Sequence, residues 1–126
     1  LVIIDKRRVD MNVAETMNVI GEVRGKSCVI VDDIVDTAGP LAGTVKALKA
    51  EGATRVVGCF SHAILSGPAM ERLTQSEIEH VVVTDSVAIP DEKAQHPKIT
   101  VLSVASLLGE AIARIHSNSS VSSLFV

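Results

Sequence analysis

The segment 28–39 constrains the fold of this chain most, because it joins a short apolar run to three carboxylates and a turn of small residues. It reads Cys-Val-Ile-Val-Asp-Asp-Ile-Val-Asp-Thr-Ala-Gly, and a helical pattern begins near Leu41. A continuous apolar run of this length is typical of a strand buried on both faces of a parallel sheet, with the helix as the crossover. We therefore predict a strand over 27–31 whose C-terminal end carries Asp32, Asp33 and Asp36.

The carboxyl end of such a strand is where open α/β sheets bind ligands, beside a helix N-terminus whose free N–H groups favour an anion. These residue types fit a ribose that is held by its hydroxyls and its phosphate together. Asp32 and Asp33 can accept hydrogen bonds from a diol, although neighbours on a strand point oppositely and only one of them need face the ligand. The small residues from Asp36 to Gly39 let the backbone approach a phosphate closely. The alternative is that Asp32 and Asp36 only balance the dipole of the following helix.

Apolar runs alternate with helical patterns along the rest of the chain. This alternation predicts an α/β fold with a mostly parallel sheet flanked by helices. Strands are predicted over 2–4, 17–20, 27–31, 55–60, 81–84 and 100–104. Helices are predicted over 40–51 with Gly52 at the C-terminal position, from an N-cap at Ser66 with Pro68 in the first turn, and over 104–115. The segments 9–16 and 89–97 are predicted to be mobile loops.

The composition fits a single domain with one core. The chain has 126 residues, of which 47% are hydrophobic, and a chain of this length buries roughly two-thirds of its unfolded surface. A net charge of -3 and 2% aromatic residues argue against a nucleic-acid surface. Cys28 and Cys59 fall in predicted strands, so we expect free thiols in a reducing compartment, the cytoplasm, with a plastid or other organelle left open. No apolar run approaches the roughly 18 residues of a membrane span.

The segment Gly21 to Ser27 is similar to a phosphate-binding P-loop but lacks its spacing. Three residues rather than four separate Gly21 from Gly25, and a strand rather than a helix is predicted directly after Lys26 and Ser27. We interpret Gly25 and Lys26 as a surface turn.

Residues 32–39 resemble the motif that binds phosphoribosyl pyrophosphate (PRPP) in the type I phosphoribosyltransferase fold. The rest of the chain is similar to the C-terminal half of ribose-phosphate pyrophosphokinases, the PRPP synthetases. That similarity runs through the segments 4–8, 12–15, 65–69, 82–85 and 120–125. Lys6-Arg7-Arg8 and the Ser-Val-Ser tail indicate the synthetase rather than the superfamily at large. The resemblance implies one domain over 1–126, from a two-domain enzyme whose N-terminal domain is absent here.

The resemblance also implies an activity, in which the whole enzyme transfers the pyrophosphoryl group of ATP to ribose 5-phosphate. The products, PRPP and AMP, place it in nucleotide biosynthesis. Lys6 and Arg8 would be catalytic, on a flexible loop, and Arg8 would also contact ribose 5-phosphate; without the resemblance, both could be solvated charges. The remaining residues of the ribose-5-phosphate site would be Asp32, Asp33, Asp36, Thr37, Ala38, Gly39 and Pro40.

Pro40 departs from the family pattern, which usually has Thr at this position. Proline is acceptable in the first turn of a helix, so the fold is not threatened. A backbone N–H and a hydroxyl are lost as phosphate donors, and Thr44 lies one turn deeper, too far along to replace them obviously. His62, which follows a predicted strand, could line the same cleft or be a structural histidine.

The ATP half of the reaction is not visible in the sequence. Phe60 and Phe125 are the aromatic residues, and no cluster would hold a metal, so we assign no metal ligand. By resemblance, Mg²⁺ and most of the ATP site belong to the absent domain, the enzyme is a homo-oligomer (a hexamer), and this part binds ribose 5-phosphate or PRPP without turnover. Residues of the tail would help to form an allosteric site for ADP or inorganic phosphate, or would simply fray: Ser120, Val121, Ser122, Ser123 and Phe125.

Two other functions stay open at this point. One is a non-catalytic regulatory subunit that associates with the synthetase, which Pro40 favours and an intact Lys6-Arg7-Arg8 disfavours. The other is a PRPP-binding regulator or a salvage phosphoribosyltransferase that shares only the motif. A DNA-binding domain or a nucleobase hood would support the latter, and neither is visible in the sequence. Because the chain opens on an apolar run, Leu-Val-Ile-Ile, we expect it to be a piece of a longer protein.

Overall fold

The fold is described by a computed structural model that covers residues 1–7 and 16–125, without the side chains of residues 5–7 and 16–18. The strands in these ranges are β1 (Ile3–Arg7), β2 (Thr16–Ile20), β3 (Ser27–Val35), β4 (Arg55–Ala63), β5 (His80–Thr84) and β6 (Ile99–Leu102). The helices are α1 (Gly39–Ala50), α2 (Ala69–Gln75), α3 (Asp91–Ala94) and α4 (Ala105–His116), followed by a short 3-10 helix, Ser122–Leu124.

Four strands form a parallel sheet in the order β3-β4-β5-β6. Helix α1 connects β3 to β4 and helix α2 connects β4 to β5, as expected for parallel neighbours. This arrangement confirms the predicted α/β fold with a mostly parallel sheet. Because all four strands run in one direction, the loops that follow them lie at a single edge of the sheet.

Strand β3 is longer than the predicted 27–31 and continues to Val35. The parallel register pairs Ile34 with His62 and Val35 with Ala63, so β3 and β4 extend together. Asp32 and Asp33 therefore lie inside the strand, and the turn begins only at Asp36. The β-branched side chains of Ile34 and Val35 favour the extended backbone that this pairing requires.

Strands β1 and β2 form a separate antiparallel pair in which Lys6 stands opposite Met17. The strand predicted over 2–4 thus reaches Arg7, and the backbone of Lys6 belongs to a strand. Of the loop predicted over 9–16, only Thr16 lies within the described residues, at the start of β2. Arg8 lies outside the described residues.

The core lies between the sheet and helices α1 and α2. Val56, Val81 and Val83 on the sheet are fully buried, as are Val45 on α1 and Leu73 on α2. Helix α1 ends as predicted: Glu51 is its C-cap residue and Gly52 follows with φ of 92°, a left-handed conformation that glycine adopts without steric cost.

The opposite face of the sheet is exposed. Side chains on a strand alternate between faces, and this face carries Val29 (61% exposed) and Val31 (78%) on β3. Val31 stands beside Cys59, and Cys59 beside Val82, so the apolar surface continues across three strands. Parallel sheets are normally covered on both faces.

Two helices differ from the predictions. Helix α2 begins at Ala69 with Pro68 as the preceding residue, rather than from a cap at Ser66. Helix α3 lies inside the segment 89–97, which was predicted to be a mobile loop. Helix α4 occupies the predicted segment, and its apolar side is exposed at Leu108 (54%) and Ile112 (67%).

Candidate functional site

A cavity of about 340 Å³ opens at the C-terminal end of β3 and is bounded by α1. Its lining combines carboxylates, a turn of small residues and apolar side chains. The lining residues are Ile30, Asp32, Ile34, Val35, Asp36, Thr37, Ala38, Pro40, Leu41, Thr44 and Phe60.

The two adjacent carboxylates of β3 are placed differently. Asp32 lines the cavity, whereas Asp33 is not among its lining residues. The Asp33 backbone N–H donates to Asp32 Oδ1 at 2.9 Å, which fixes one oxygen of Asp32. Asp32 therefore keeps its other oxygen for a ligand. The placement agrees with the expectation that a strand presents only one of two neighbouring side chains to a ligand.

The turn after β3 leads into helix α1 through Ala38, which has a left-handed backbone with φ of 55°. No side chain of the described residues caps this helix. The N–H groups of the first turn of a helix have no partner within the helix, and together with the helix dipole they favour an anion. Pro40 is in this first turn and lines the cavity. Gly39 begins the helix but is not among the lining residues.

Thr44 also lines the cavity and is 7% exposed. The sequence analysis placed it one helical turn beyond Pro40, too far along to replace the lost donors obviously, yet the cavity extends to its side chain. Residues four apart on a helix lie on one face, which is why the side chains of Pro40 and Thr44 meet the same space. The spacing in the sequence was the signal that could have identified Thr44.

Phe60 of β4 forms an apolar part of the cavity wall beside Asp32, its register partner on β3. Its ring lies over Gly58, because a Cβ atom built on Gly58 would be 2.6 Å from Phe60 Cε2. The glycine thus makes room for the ring that shapes the cavity. The sequence analysis noted Phe60 only as a rare aromatic residue and missed this role.

Among the described residues that line the cavity there is no lysine, arginine or histidine. Asp32 and Asp36 make this space electronegative, so an anion would depend on backbone N–H groups and on cations supplied from outside the lining. The cationic candidates from the sequence are Lys6, whose side chain is not described, and Arg8.

His62 is not among the lining residues of the cavity. Its Nδ1 atom lies 2.8 Å from Ser86 Oγ, and Ser86 Oγ donates to the Ser61 carbonyl oxygen at 2.8 Å. Since the single hydroxyl proton of Ser86 is used there, the arrangement favours the tautomer in which His62 Nδ1 carries a proton. The contact links the ends of β4 and β5 and fits the structural interpretation of this histidine.

The tail folds back onto helix α4 through Arg114. Its Nη1 atom donates to the Ser120 carbonyl oxygen at 3.0 Å and to Ser123 Oγ. Ser122 begins the 3-10 helix, directly after Val121, and Phe125 is 77% exposed. The structure therefore orders these residues beside α4, away from the cavity lining.

Three described side chains outside the cavity have pKa values that are shifted from their ordinary values. The pKa of Asp85 is held below its ordinary value by a hydrogen bond from the Ser103 hydroxyl and another from the Val104 N–H. The hydrogen-bonded ion pair between Arg55 and Glu79 raises the pKa of Arg55 and lowers that of Glu79. Both arrangements connect successive parts of the sheet.

The described residues do not form a metal site. No group of three or more His, Cys, Asp or Glu side chains in residues 1–4 and 19–125 could hold an ion. Within the same part of the chain, no helix is long and apolar enough to cross a membrane.

Comparison with known proteins relates this geometry to one family. A family model described as "Phosphoribosyl synthetase-associated domain" matches residues 6–126. The ribose-phosphate pyrophosphokinase 1 of Listeria monocytogenes is 58% identical over 125 residues, 99% of this chain and 39% of that protein. The ribose-phosphate pyrophosphokinase of Xylella fastidiosa is 55% identical over 126 residues, 100% of this chain and 39% of that protein.

A solved structure has the same fold. The crystal structure of phosphoribosylpyrophosphate synthetase from Mycobacterium smegmatis matches with a TM-score of 0.79 and 38% identity, covering 82% of this chain and 35% of that chain. The chain thus spans about two-fifths of the length of the curated relatives that it matches.

Proposed function

The chain belongs to the family of phosphoribosyl synthetase-associated domains, and we propose that it supplies the ribose-5-phosphate site of a ribose-phosphate pyrophosphokinase. The observation that carries this proposal is the single cavity shared by Asp32, the 36–38 turn and the uncapped first turn of α1. A carboxylate beside an anion site fits a ligand that has hydroxyl donors at one end and a phosphate at the other. Ribose 5-phosphate and PRPP are such ligands.

Each part of the cavity has a role in this proposal. Asp32 accepts hydrogen bonds from the ribose hydroxyls, and Asp33 supports it through the N–H that fixes Asp32 Oδ1. The phosphate lies against the backbone of the turn and the helix end, formed by Asp36, Thr37, Ala38, Gly39 and Pro40. Thr44 adds a hydroxyl on the same wall.

In the proposed reaction the ribose C1 hydroxyl oxygen forms a bond to the β-phosphorus of ATP. The bond from that phosphorus to the oxygen bridging the α-phosphate breaks, AMP leaves with that electron pair, and the hydroxyl proton passes to solvent. Negative charge on the transferred group has to be offset by cations. The described residues of the cavity lining include no lysine or arginine, and by the family resemblance we assign this catalytic role to Lys6 and Arg8.

ATP and Mg²⁺ are proposed to bind mainly to the part of the longer protein that this chain does not contain. The described residues do not fit a metal ion, so no step here depends on one. In this proposal the 126 residues bind ribose 5-phosphate or PRPP but do not turn over alone.

We propose that the chain is the C-terminal half of a two-domain synthetase. The exposed sheet face supports this arrangement. Parallel sheets are normally covered on both faces, whereas Val29 and Val31 on this face lie in solvent. A groove of about 530 Å³ beside this face, between β1 and β3, is lined mainly by apolar residues. The known relatives are long enough to cover both surfaces.

Assembly, regulation and location belong to the same proposal. Exposed Phe125 and the serines ordered by Arg114 suit an allosteric site for ADP or phosphate that a neighbouring subunit completes in a hexamer. Free Cys28 and Cys59 suit the cytoplasm.

A regulatory subunit of the synthetase is the second candidate, and Pro40 in the first turn of α1 is the observation that favours it. Proline has no backbone N–H, so a phosphate site there is weaker by one donor while the fold is not disturbed. A salvage phosphoribosyltransferase is not supported by any contact described above.

The binding proposal is tested by calorimetry with ribose 5-phosphate on the 126-residue chain. Asp32→Ala removes the diol acceptor, so we expect at least about tenfold weaker binding, the effect of a hydrogen bond to a charged group. Glu77→Ala, which removes an exposed carboxylate outside the cavity lining, is the control and should bind like the parent. Equal affinities for both variants would remove Asp32 from the site.

The enzyme proposal requires the longer protein. A chimera in which this chain replaces the matching 125 residues of the Listeria monocytogenes enzyme should form AMP from ATP in the presence of ribose 5-phosphate. If the chimera is folded and binds ribose 5-phosphate but makes no AMP, the regulatory-subunit function is favoured.

A further inference from the structure

The 36–38 turn is held by one neighbouring segment, which connects β4 to α2 and continues into that helix. The N–H groups of Ile64 and Leu65 donate to the Val35 carbonyl oxygen at 3.0 and 3.2 Å. Ser66 Oγ donates to Asp36 Oδ1. Six residues after Ser66, inside α2, the pattern continues.

Arg72 of α2 completes this set of contacts. Its Nη1 atom donates to the Thr37 carbonyl oxygen at 2.9 Å. Val35, Asp36 and Thr37 are thus three consecutive residues, each held by a different group of the segment 64–72. A segment that only connected a strand to a helix would not need to engage each residue of a distant turn.

The backbone of this segment is unusual at Leu65, a fully buried residue with φ of 51°. A left-handed conformation is unfavourable for a bulky residue and persists only where the surroundings hold it. Here the Leu65 carbonyl oxygen accepts a hydrogen bond from Lys93 Nζ at 2.9 Å. The same conformation places Ser66 next to Asp36, so the strain accompanies the contact with the turn.

The Arg72 contact also determines which way a peptide group faces. In a trans peptide the C=O of one residue and the N–H of the next point in opposite directions. Arg72 is outside the cavity lining, in a separate depression on α2. By drawing the Thr37 carbonyl oxygen towards itself, it turns the Ala38 N–H the other way, and Ala38 lines the cavity.

The Ser66 contact has a complementary effect on charge. Asp36 lines the cavity and would repel a phosphate. The Ser66 hydroxyl holds one of its oxygens and so restricts the rotation of the carboxylate towards the ligand. Gly39 leaves space for Arg72, since a Cβ atom there would be 3.0 Å from Arg72 Nη1.

We infer that Ser66 and Arg72 are positioning residues of the phosphate turn: Arg72 orients the Ala38 N–H and Ser66 restrains the Asp36 carboxylate. This inference rests on the proposed function for its ligand, but its structural content, an ordered turn, can be measured without one. Neither residue touches the substrate in this arrangement.

The test measures two properties of Ser66→Ala and Arg72→Gln in the 126-residue chain. Amide hydrogen exchange should be faster in the peptide that covers 36–40, with exchange in β4 and β5 unchanged. Ribose 5-phosphate should bind about three- to tenfold more weakly by calorimetry, the effect of losing one ordinary hydrogen bond. Ser66→Thr keeps the hydroxyl and should restore both properties.

The matched controls are Ser106→Ala and Arg24→Gln, two exposed residues away from the turn. Both should match the parent. In the chimera, Arg72→Gln should raise KM for ribose 5-phosphate and leave kcat nearly unchanged, a separation that general destabilisation would not give.

The outcomes separate the two proposals. If the parent does not bind ribose 5-phosphate but exchange in 36–40 rises in both variants, the positioning role stands and the proposed ligand is wrong. If the parent binds and both variants keep the parent's exchange and affinity, the positioning role is wrong. A rise in exchange throughout the sheet would also overturn it, since the residues would then only stabilise the fold.

Discussion

Gly58→Ala is the substitution that the structure predicts most sharply. Gly58 lies on β4 beneath the ring of Phe60, and an added Cβ atom would be 2.6 Å from Phe60 Cε2 and 3.4 Å from Ile78 Cδ1. A separation of 2.6 Å is well inside the contact distance of two carbon atoms. Phe60 and Ile78 are only 6% and 1% exposed, so neither can move freely into solvent.

The expected cost follows from this overpacking. Inserting a methyl group into a packed core typically costs about 1–3 kcal/mol. With an unfolding entropy of about 2.1 cal/mol/K per residue, 1 kcal/mol corresponds to roughly 4 °C for a chain of this size. Thermal unfolding of Gly58→Ala should therefore occur about 4–12 °C below that of the parent. Ribose 5-phosphate should also bind more weakly, because Phe60 lines the cavity and its displaced ring would occupy part of that space.

Gly109→Ala is the matched control, since it adds the same methyl group in α4 with no atom within 4 Å. Alanine favours a helix over glycine by up to about 1 kcal/mol, so this variant should be as stable as the parent or more stable. The double variant with Gly58→Ala and Phe60→Leu should lose less stability than the sum of the losses in the two single variants. A Gly58→Ala variant that melts within about 1 °C of the parent would refute the argument from Phe60.

Three further outcomes are expected. Lys6→Ala in the chimera should lower kcat by orders of magnitude and change KM for ribose 5-phosphate much less, since the proposed role is in the transition state; equal kcat values would refute it. Pro40→Thr should tighten ribose 5-phosphate by about tenfold or more in calorimetry, because a donor N–H and a hydroxyl are restored; unchanged binding would mean that other donors suffice. Because Ser103 and Val104 hold the pKa of Asp85 below its ordinary value, its stabilising effect is present above a pH of about 4 and is lost as the pH falls through the lowered pKa. Acid titration followed by circular dichroism should show this loss of stability, and the Asp85→Asn variant should lack that pH-dependent loss.

Much of the fold could be predicted from local patterns. Alternating apolar runs and helical spacing identified the parallel sheet, and Gly52 marked the end of α1, because strand and helix periodicities and left-handed turns are properties of a few adjacent residues. The predicted end of β3 was wrong because it depends on pairing with a strand that is distant in the sequence. Asp32 and Asp33 interrupt the apolar run, and only the pairing with β4 shows that the strand continues to Val35.

The start of α2 shows the same limit more clearly. A serine two residues before a proline is a reasonable N-cap, but the hydroxyl of Ser66 is used by Asp36, 30 residues earlier in the chain. No local pattern contains that contact. Asp32 and the 36–40 turn could be proposed from the sequence because carboxylates and small residues cluster there, and Thr44 could have been added from its spacing to Pro40, whereas Phe60 and Arg72 contribute only through the fold.

The charge of the cavity determines which groups the proposed ligand would need. In the part of the chain that the structure describes, two carboxylates and no cation line the space in which a phosphorylated sugar is proposed to bind. A site for phosphate alone would gain nothing from Asp32, so its presence argues for a ligand with hydroxyl donors beside the anion. The backbone N–H groups of the turn and of α1 offset part of the phosphate charge, and the rest requires cations that approach from outside the lining. Ribose 5-phosphate should therefore bind modestly while Lys6 and Arg8 stay outside the cavity and more tightly when they reach it, which would link substrate binding to the approach of the proposed catalytic groups.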